Sequence, residues 1–141
     1  MEEKNRMIEQ LKGLGVDFEA SEFAASSAEN TKAQFVDEVD EFIHSLDFMR
    51  LGQAVSHGQW QSAGMKVAKM SAKAKSLGCV GLERQFAGIR GAINRRNSEE
   101  ALHILALIIT KRVRIVTFYQ NVKSENTKAL FYEERNEYEE K

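Results

Sequence analysis

Apolar residues recur along most of the chain at intervals of three and four, which is the spacing of one face of an α-helix. The first long stripe follows Asn30 and Thr31, either of which can cap a helix. It consists of Phe35, Val39, Phe42, Leu46 and Met49, and it continues to Leu51 and Val55. This spacing predicts one long helix that ends at the interruption 57–59.

Three more stripes of the same spacing follow. They are Ala63, Val67, Met70, Ala74 and Leu77; then Leu82, Phe86, Ile89 and Ile93; and then Leu102, Leu105, Ile109, Val113 and Val116. Gly78 is placed to end the first of these helices, and Ser98 with two following acids is placed to cap the last. Four amphipathic helices with short connections predict an all-α fold, an antiparallel up-down-up-down four-helix bundle.

One or two short helices are expected before this bundle. Met7, Ile8 and Leu11 have helical spacing and predict a helix over 3–13. Phe23 and the two alanines after it predict a second, brief helical turn.

The composition favours a single domain over 1–141. A chain of 141 residues that is 43% hydrophobic can bury one core, and the absence of proline favours uninterrupted helices. Residues 1–29 form the lead-in, 30–122 the bundle and 123–141 a charged extension, into which 130–132 can prolong the last helix. No window approaches the roughly 18 apolar residues of a membrane span, so we expect a soluble, cytoplasmic protein without membrane contact.

Residues with metal-binding or nucleophilic side chains are scattered along the sequence. Cys79 stands alone among apolar neighbours, which predicts a buried structural thiol. His44, His57 and His103 have neither HxxxH nor HExxH spacing. We therefore expect no metal site and no cofactor. An enzyme is the least favoured class, because the predicted core carries no paired carboxylates.

Charge is unevenly shared, although the whole chain has a net charge of only -1. Residues 1–47 hold 12 acids and 4 bases, a net of -8, whereas 60–96 hold 8 bases and one acid, a net of +7. The two segments can pair within the chain, or the basic segment can attract an acidic protein. Nucleic acid is not expected as a partner, because the acidic remainder of the chain would repel phosphate.

Several short motifs are spread over nearly the whole chain. They are Leu14-Gly15-Val16-Asp17-Phe18, then Gly58-Gln59-Trp60, then Leu77-Gly78-Cys79 with Leu82, Phe86 and Ile89, and finally Asn97-Ser98-Glu99-Glu100-Ala101. Together they resemble the histidine-containing phosphotransfer (HPt) domain of bacterial phosphorelays. The resemblance implies a helical bundle with an exposed phosphoacceptor histidine on a central helix.

The family pattern for that helix resembles A-H-x-L-K-G-S-x-x-x-L-G, and Trp60 and Gly78 set its register here. In this register the phosphoacceptor histidine falls on Ala68, the phosphate-stabilising lysine on Ser71 and the following glycine on Ala72. A methyl group cannot attack an aspartyl phosphate, and Ser71 is a hydroxyl without an adjacent base. The resemblance therefore implies a degenerate member that has lost phosphotransfer.

One face of this helix is expected to remain as a binding surface, which we call the docking face. It comprises Gln61, Gly64, Met65, Ala68, Lys69, Ser71, Ala72 and Lys75. Its lysines can steer an acidic partner. The partner implied by the resemblance is a response-regulator receiver domain or a histidine kinase, bound without accepting phosphate. The alternative is that a neighbouring segment of the same chain covers the small residues of this face.

Two other functions remain open at this point. One is an active phosphotransfer protein that uses one of the three histidines in a non-standard position. The other is a homodimer in which Gly64, Ala68 and Ala72 form the seam between two copies.

Overall fold

The computed structural model is all-helical and describes residues 2–26 and 28–139. Within these residues the α-helices are α1 Glu2–Gly13, α2 Thr31–Ile43, α3 Asp47–Ser56, α4 Trp60–Ser76, α5 Val80–Asn94 and α6 Ser98–Glu139. Two short 3₁₀ helices, Phe18–Ala20 and Glu22–Ala25, connect α1 to α2, and the described ranges contain no strand. The predicted all-α class is confirmed.

The prediction of one long first helix is wrong, because the helix is broken at 44–46 into α2 and α3. The His44 backbone N–H donates to the Asp40 carbonyl oxygen, and the Ser45 hydroxyl accepts from the Asp47 backbone N–H at 3.1 Å. These local bonds end one helix and begin the next. Leu46 and Met49, which the apolar stripe included, are consequently exposed.

The buried face of α6 also differs from the predicted stripe. The core contains Ala101, Leu105, Ile108, Ile115 and Tyr119, whereas Leu102, Ile109 and Val113 are exposed. Arg112 lies on the same face as these buried residues, since it follows Ile108 by four positions and precedes Ile115 by three. Its Nε donates to the Ile43 carbonyl oxygen at 2.7 Å. Its guanidinium also lies 5.1 Å from the centre of the Phe48 ring. Because an arginine interrupts the apolar residues of this face, hydrophobic spacing alone favoured the other face of the helix.

The N-cap of α6 lies one residue earlier than predicted. The Asn97 side-chain oxygen accepts from the Glu100 backbone N–H at 3.1 Å, and the Asn97 amide donates to the Glu100 carboxylate at 3.4 Å. A cap residue bonds the N–H three positions ahead. Asn97 is therefore the cap, and Ser98 is the first residue of the helix.

Two motifs that are distant in sequence meet beside the end of α4. The Asp17 backbone N–H donates to the Gly78 carbonyl oxygen at 2.8 Å, and the Gly81 N–H donates to the Gly15 carbonyl oxygen at 3.3 Å. Gly78 has φ +70°, which suits glycine. The lead-in is thus attached to the α4–α5 turn, and its apolar residues Met7, Leu11, Val16 and Phe18 belong to the common core.

The helices pack around that core in a defined order. α4 packs against α3 and α5, and α6 packs against α5, α3 and α2. α4 and α6 therefore lie on opposite sides of α3 and α5. α6 has 42 residues and α4 has 17, so α6 is about 63 Å long at 1.5 Å per residue. Residues 123–139 continue α6, and 140–141 lie outside the described residues.

Candidate partner-binding surface

α4 carries the docking face on the side away from its core residues. The helix begins at Trp60, and Leu77 and Gly78 follow its end, as the spacing predicts. Its buried residues are Ala63, Val67, Met70 and Ala74, all members of the predicted stripe. The core face of this helix could thus be predicted from the sequence.

Most of the docking face is open to solvent. Its exposed members are Gln61, Met65, Ala68, Lys69, Ala72 and Lys75, and its half-buried members are Gly64 and Ser71. Gly64 lies beside α5, where an added Cβ would come within 3.9 Å of Ile93 Cγ2. Since Ala68 and Ala72 are exposed, no other segment of the described chain covers them. The alternative that a neighbouring segment fills this strip is therefore wrong for Ala68 and Ala72, although Gly64 lies against α5.

A shallow groove separates the docking face from the end of α5. Its volume is about 550 Å³, and it is lined by Trp60, Gln61, Gly64, Met65, Ala68, Arg90, Ile93, Asn94 and Arg96. Arg90 and Arg96 are both exposed. We call this feature the arginine groove, because two guanidinium groups line the same space as the Ala68 methyl group.

The opposite edge of the docking face borders the acidic part of the chain. Lys69 Nζ and Lys66 Nζ lie 3.4 Å and 3.6 Å from the carboxylate of Asp47 in α3. Desolvation raises the pKa of Asp47, but the two lysines and the Ser45 hydroxyl outweigh it and hold the pKa below its ordinary value. Lys69, predicted to meet a partner, is therefore engaged within the chain.

A second groove of about 550 Å³ runs along this acidic edge. It is lined by Glu38, Glu41, Phe42, Ser45, Asp47, Lys69, Met70, Ala72, Lys73 and Ser76. Acids of α2 and α3 thus stand opposite lysines of α4. The expected pairing of the acidic and basic segments within the chain is present at this edge.

On the side of the docking face that borders α5, only some of the arginines are paired with acids. Arg95 pairs with Glu100 at 2.8 Å. Within the described residues, no ion pair involves Arg90 or Arg96. Arg90 and Arg96 in the arginine groove, like Lys75 on the docking face, therefore keep their charge open to a partner, whereas Lys69 does not.

Sequence reasoning missed Arg90, Asn94 and Arg96 as parts of the site. The only signal was the net charge of +7 over 60–96, and a count of charges does not show on which side of the folded chain they lie. Arg96 also has φ 52°, in the left-handed region that usually holds glycine at a helix end. Its backbone N–H donates to the Ile93 carbonyl oxygen at 3.0 Å, which closes the turn after α5.

None of the three histidines lies on α4. His57 follows α3, where its Nδ1 donates to the Gln53 carbonyl oxygen at 2.7 Å, so its predicted capping role is confirmed. His44 follows α2, and its Nδ1 donates to the Asp40 carbonyl oxygen at 2.8 Å. His103 is exposed on α6.

Cys79 is buried, as predicted. Burial and the charge of Glu83 raise the pKa of this thiol to about 12, so it stays protonated at neutral pH and is a poor nucleophile. Within the described residues, no group of three histidine, cysteine, aspartate or glutamate side chains is arranged to hold a metal ion. In the same part of the chain, each helix is too short or too polar to span a bilayer.

Comparison with known proteins identifies no relative. No protein-family model, curated protein or solved structure matches the chain.

Proposed function

We propose that this protein is a non-catalytic HPt-like module of a bacterial two-component phosphorelay. It binds a receiver domain or a histidine kinase and does not accept phosphate. In this proposal α2 with α3, α4, α5 and α6 form an antiparallel four-helix bundle. The observation that carries the proposal is the exposed Ala68 midway along α4, beside the arginine groove.

Ala68 supports the loss of phosphotransfer for a chemical reason. An imidazole at this exposed position would present a ring nitrogen to a docked protein, whereas a methyl group has no lone pair to attack phosphorus. Ser71, one turn later, is half-buried, and no histidine lies on α4 to serve as its base. The helix can therefore contact a partner while offering it no imidazole to accept the phosphoryl group.

The arginine groove favours an acidic partner. Two exposed guanidinium groups raise the association rate of a negatively charged surface, and salt screens the effect. A receiver domain has an acidic pocket, which is the chemistry that this groove complements. We accordingly expect affinity for a receiver domain to fall as the ionic strength rises.

The first test is incubation of the protein with phosphorylated receiver domains. We expect no acid-labile, alkali-stable label on this chain. If label appears and one of the single variants His44→Gln, His57→Gln or His103→Gln abolishes it, the active phosphotransfer alternative is correct and our proposal is wrong.

A gain-of-function variant tests the position of Ala68. Ala68→His, combined with Ser71→Lys and Ala72→Gly, should accept label from a bound receiver domain. Met65→His in the same background is the matched control, because residue 65 lies one turn earlier on the same face. A bound but unlabelled Ala68→His variant would contradict the proposed register.

Calorimetry with a panel of purified receiver and kinase domains tests binding itself. Arg96→Glu should weaken binding about tenfold or more. Arg84→Glu makes the same charge change at an exposed position of α5 outside the groove and should have little effect. Equal losses of affinity in the two variants would assign the effect to net charge. Binding to no member of the panel would refute the proposal.

If the docking face were instead a dimer seam, Ala68→Glu would dissociate the dimer in sedimentation.

A further inference from the structure

α6 carries an apolar stripe that no described part of the chain covers. Leu102, Ile109 and Val113 are exposed by 44%, 42% and 50%, and Ala106 between them is also exposed. At 3.6 residues per turn these four side chains fall within about 60° of arc. Their spacing of four, three and four is the pattern of a seam between two helices. The stripe is separate from the docking face, since α6 and α4 lie on opposite sides of α3 and α5.

Charged residues along one edge of the stripe indicate what can cover it. Glu99 and Arg114 are exposed on the same side of the stripe, about 50° and 110° around the helix from its centre. Within the described residues, neither forms an ion pair. The acid stands at the beginning of the stripe and the base at its end.

This distribution matches a second copy of the same helix in antiparallel orientation. If Leu102 lies opposite Val113 of the second copy, then Ala106 lies opposite Ile109 of that copy, and both pairs occur twice. The same register brings Glu99 beside Arg114 of the second copy, also twice. A parallel pair would place Glu99 near Glu99 instead. Charge complementarity therefore selects the antiparallel arrangement.

We propose that this protein forms an antiparallel homodimer through the apolar stripe of α6. The dimer is two-fold symmetric, so each side chain contact occurs twice. One helix pair buries less than the roughly 1,600 Å² of a standard interface, so the dimer is reversible and depends on concentration. Because α4 lies on the other side of each copy, the dimer displays two docking faces.

Sedimentation of the full-length chain over about 5 to 500 µM tests the proposal. We expect a species of twice the 16.0 kDa monomer mass at the upper end of this range. Ile109→Lys should weaken dimerisation at least about tenfold. Leu107→Lys is the matched control, because Leu107 is 45% exposed on the same helix but about 130° from the centre of the stripe. Circular dichroism checks that both variants stay helical.

A charge-exchange experiment tests the register. Glu99→Arg alone and Arg114→Glu alone should each weaken the homodimer, because each places like charges together. An equimolar mixture of these two variants should restore the dimer, because arginine then meets glutamate at both ends. Glu19→Arg with Arg84→Glu, two exposed positions outside α6, is the control mixture and should not exceed the wild-type protein.

Several results would overturn the homodimer. They are a monomer at every concentration, equal effects of Ile109→Lys and Leu107→Lys, or a charge-exchanged mixture no more dimeric than its separate components. Receiver binding is an independent readout, since Ile109→Lys changes no residue of the docking face.

Discussion

At the scale of single residues, Gly78 holds the lead-in against α4. Its positive φ disfavours every L side chain, and a Cβ would overlap the carbonyl oxygen of Asp17. We therefore expect Gly78→Ala to lower the free energy of unfolding by about 2 kcal/mol or more, measured by urea denaturation.

Gly13→Ala is the control for this experiment. Gly13 ends α1, and nothing lies within 4 Å of an added Cβ. The substitution should leave the free energy of unfolding unchanged or raise it by up to about 1 kcal/mol. If both alanine variants lost the same stability, the close approach at Gly78 would not be the cause.

Arg96 is a residue at which stability and binding should oppose each other. A non-glycine residue at φ 52° is strained, so Arg96→Gly should raise the free energy of unfolding by about 0.5–1 kcal/mol. The same variant should bind an acidic receiver domain more weakly, because the groove loses one guanidinium. Denaturation and calorimetry on one preparation measure both effects, and a variant that is less stable would speak against strain at this position.

At the scale of the helices, Arg112 connects α6 to the break between α2 and α3. Its Nε satisfies the carbonyl oxygen of Ile43, the last residue of α2, and its guanidinium covers Phe48 in the first turn of α3. Arg112→Met removes the Nε–H donor, so the Ile43 carbonyl oxygen loses this hydrogen bond. We expect a loss of about 1.5–3 kcal/mol in the free energy of unfolding.

Arg84→Met is the comparison for Arg112→Met, because Arg84 is exposed on α5. Its effect on urea denaturation should stay within about 0.5 kcal/mol. Similar losses in the two variants would mean that the bond to Ile43 does not stabilise the break.

At the scale of the whole molecule, titratable groups buried in the core should make the free energy of unfolding fall at alkaline pH. The pKa of Cys79 rises from an ordinary 9.0 to about 12 on folding, because burial disfavours the thiolate. Between these values the unfolded chain has lost the proton and the folded chain has kept it, so stability falls as pH rises. The stabilisation from the protonated thiol is present below about pH 9 and is lost as the pH rises towards 12, at no more than about 1.4 kcal/mol per pH unit.

Cys79→Ala isolates this effect from the titration of other groups. Tyr119 adds to the decline at higher pH, because burial raises the pKa of its phenol, which donates to the Val36 carbonyl oxygen at 2.7 Å. Because the alanine variant lacks the thiol but keeps Tyr119, its free energy of unfolding in urea should fall less steeply from about pH 8 to pH 11 than that of the wild-type protein. Parallel curves would exclude the thiol as the titrating group.

The helix boundaries show how much of the fold could be predicted from short sequence patterns. α4 and α5 could be predicted nearly to their ends, because Trp60 and Gly78 mark boundaries that depend on neighbouring residues in the chain. The break at 44–46 could not be predicted from the sequence. His44 and Ser45 can end one helix and cap the next, but the same residues also occur inside continuous helices. Of the site, the docking face followed from helical spacing, whereas the arginine groove required the position of α5 against α4.

The sequence by itself determined the helical class, the solitary thiol and the absence of an imidazole at residue 68. These properties depend on residue identity and on the short-range geometry of a helix. The tertiary structure alone decided which of two apolar faces of α6 is buried and which cations of 60–96 are neutralised within the chain. Both outcomes depend on the neighbours that packing supplies, as when Ile43 accepts from Arg112 and Asp47 binds Lys69.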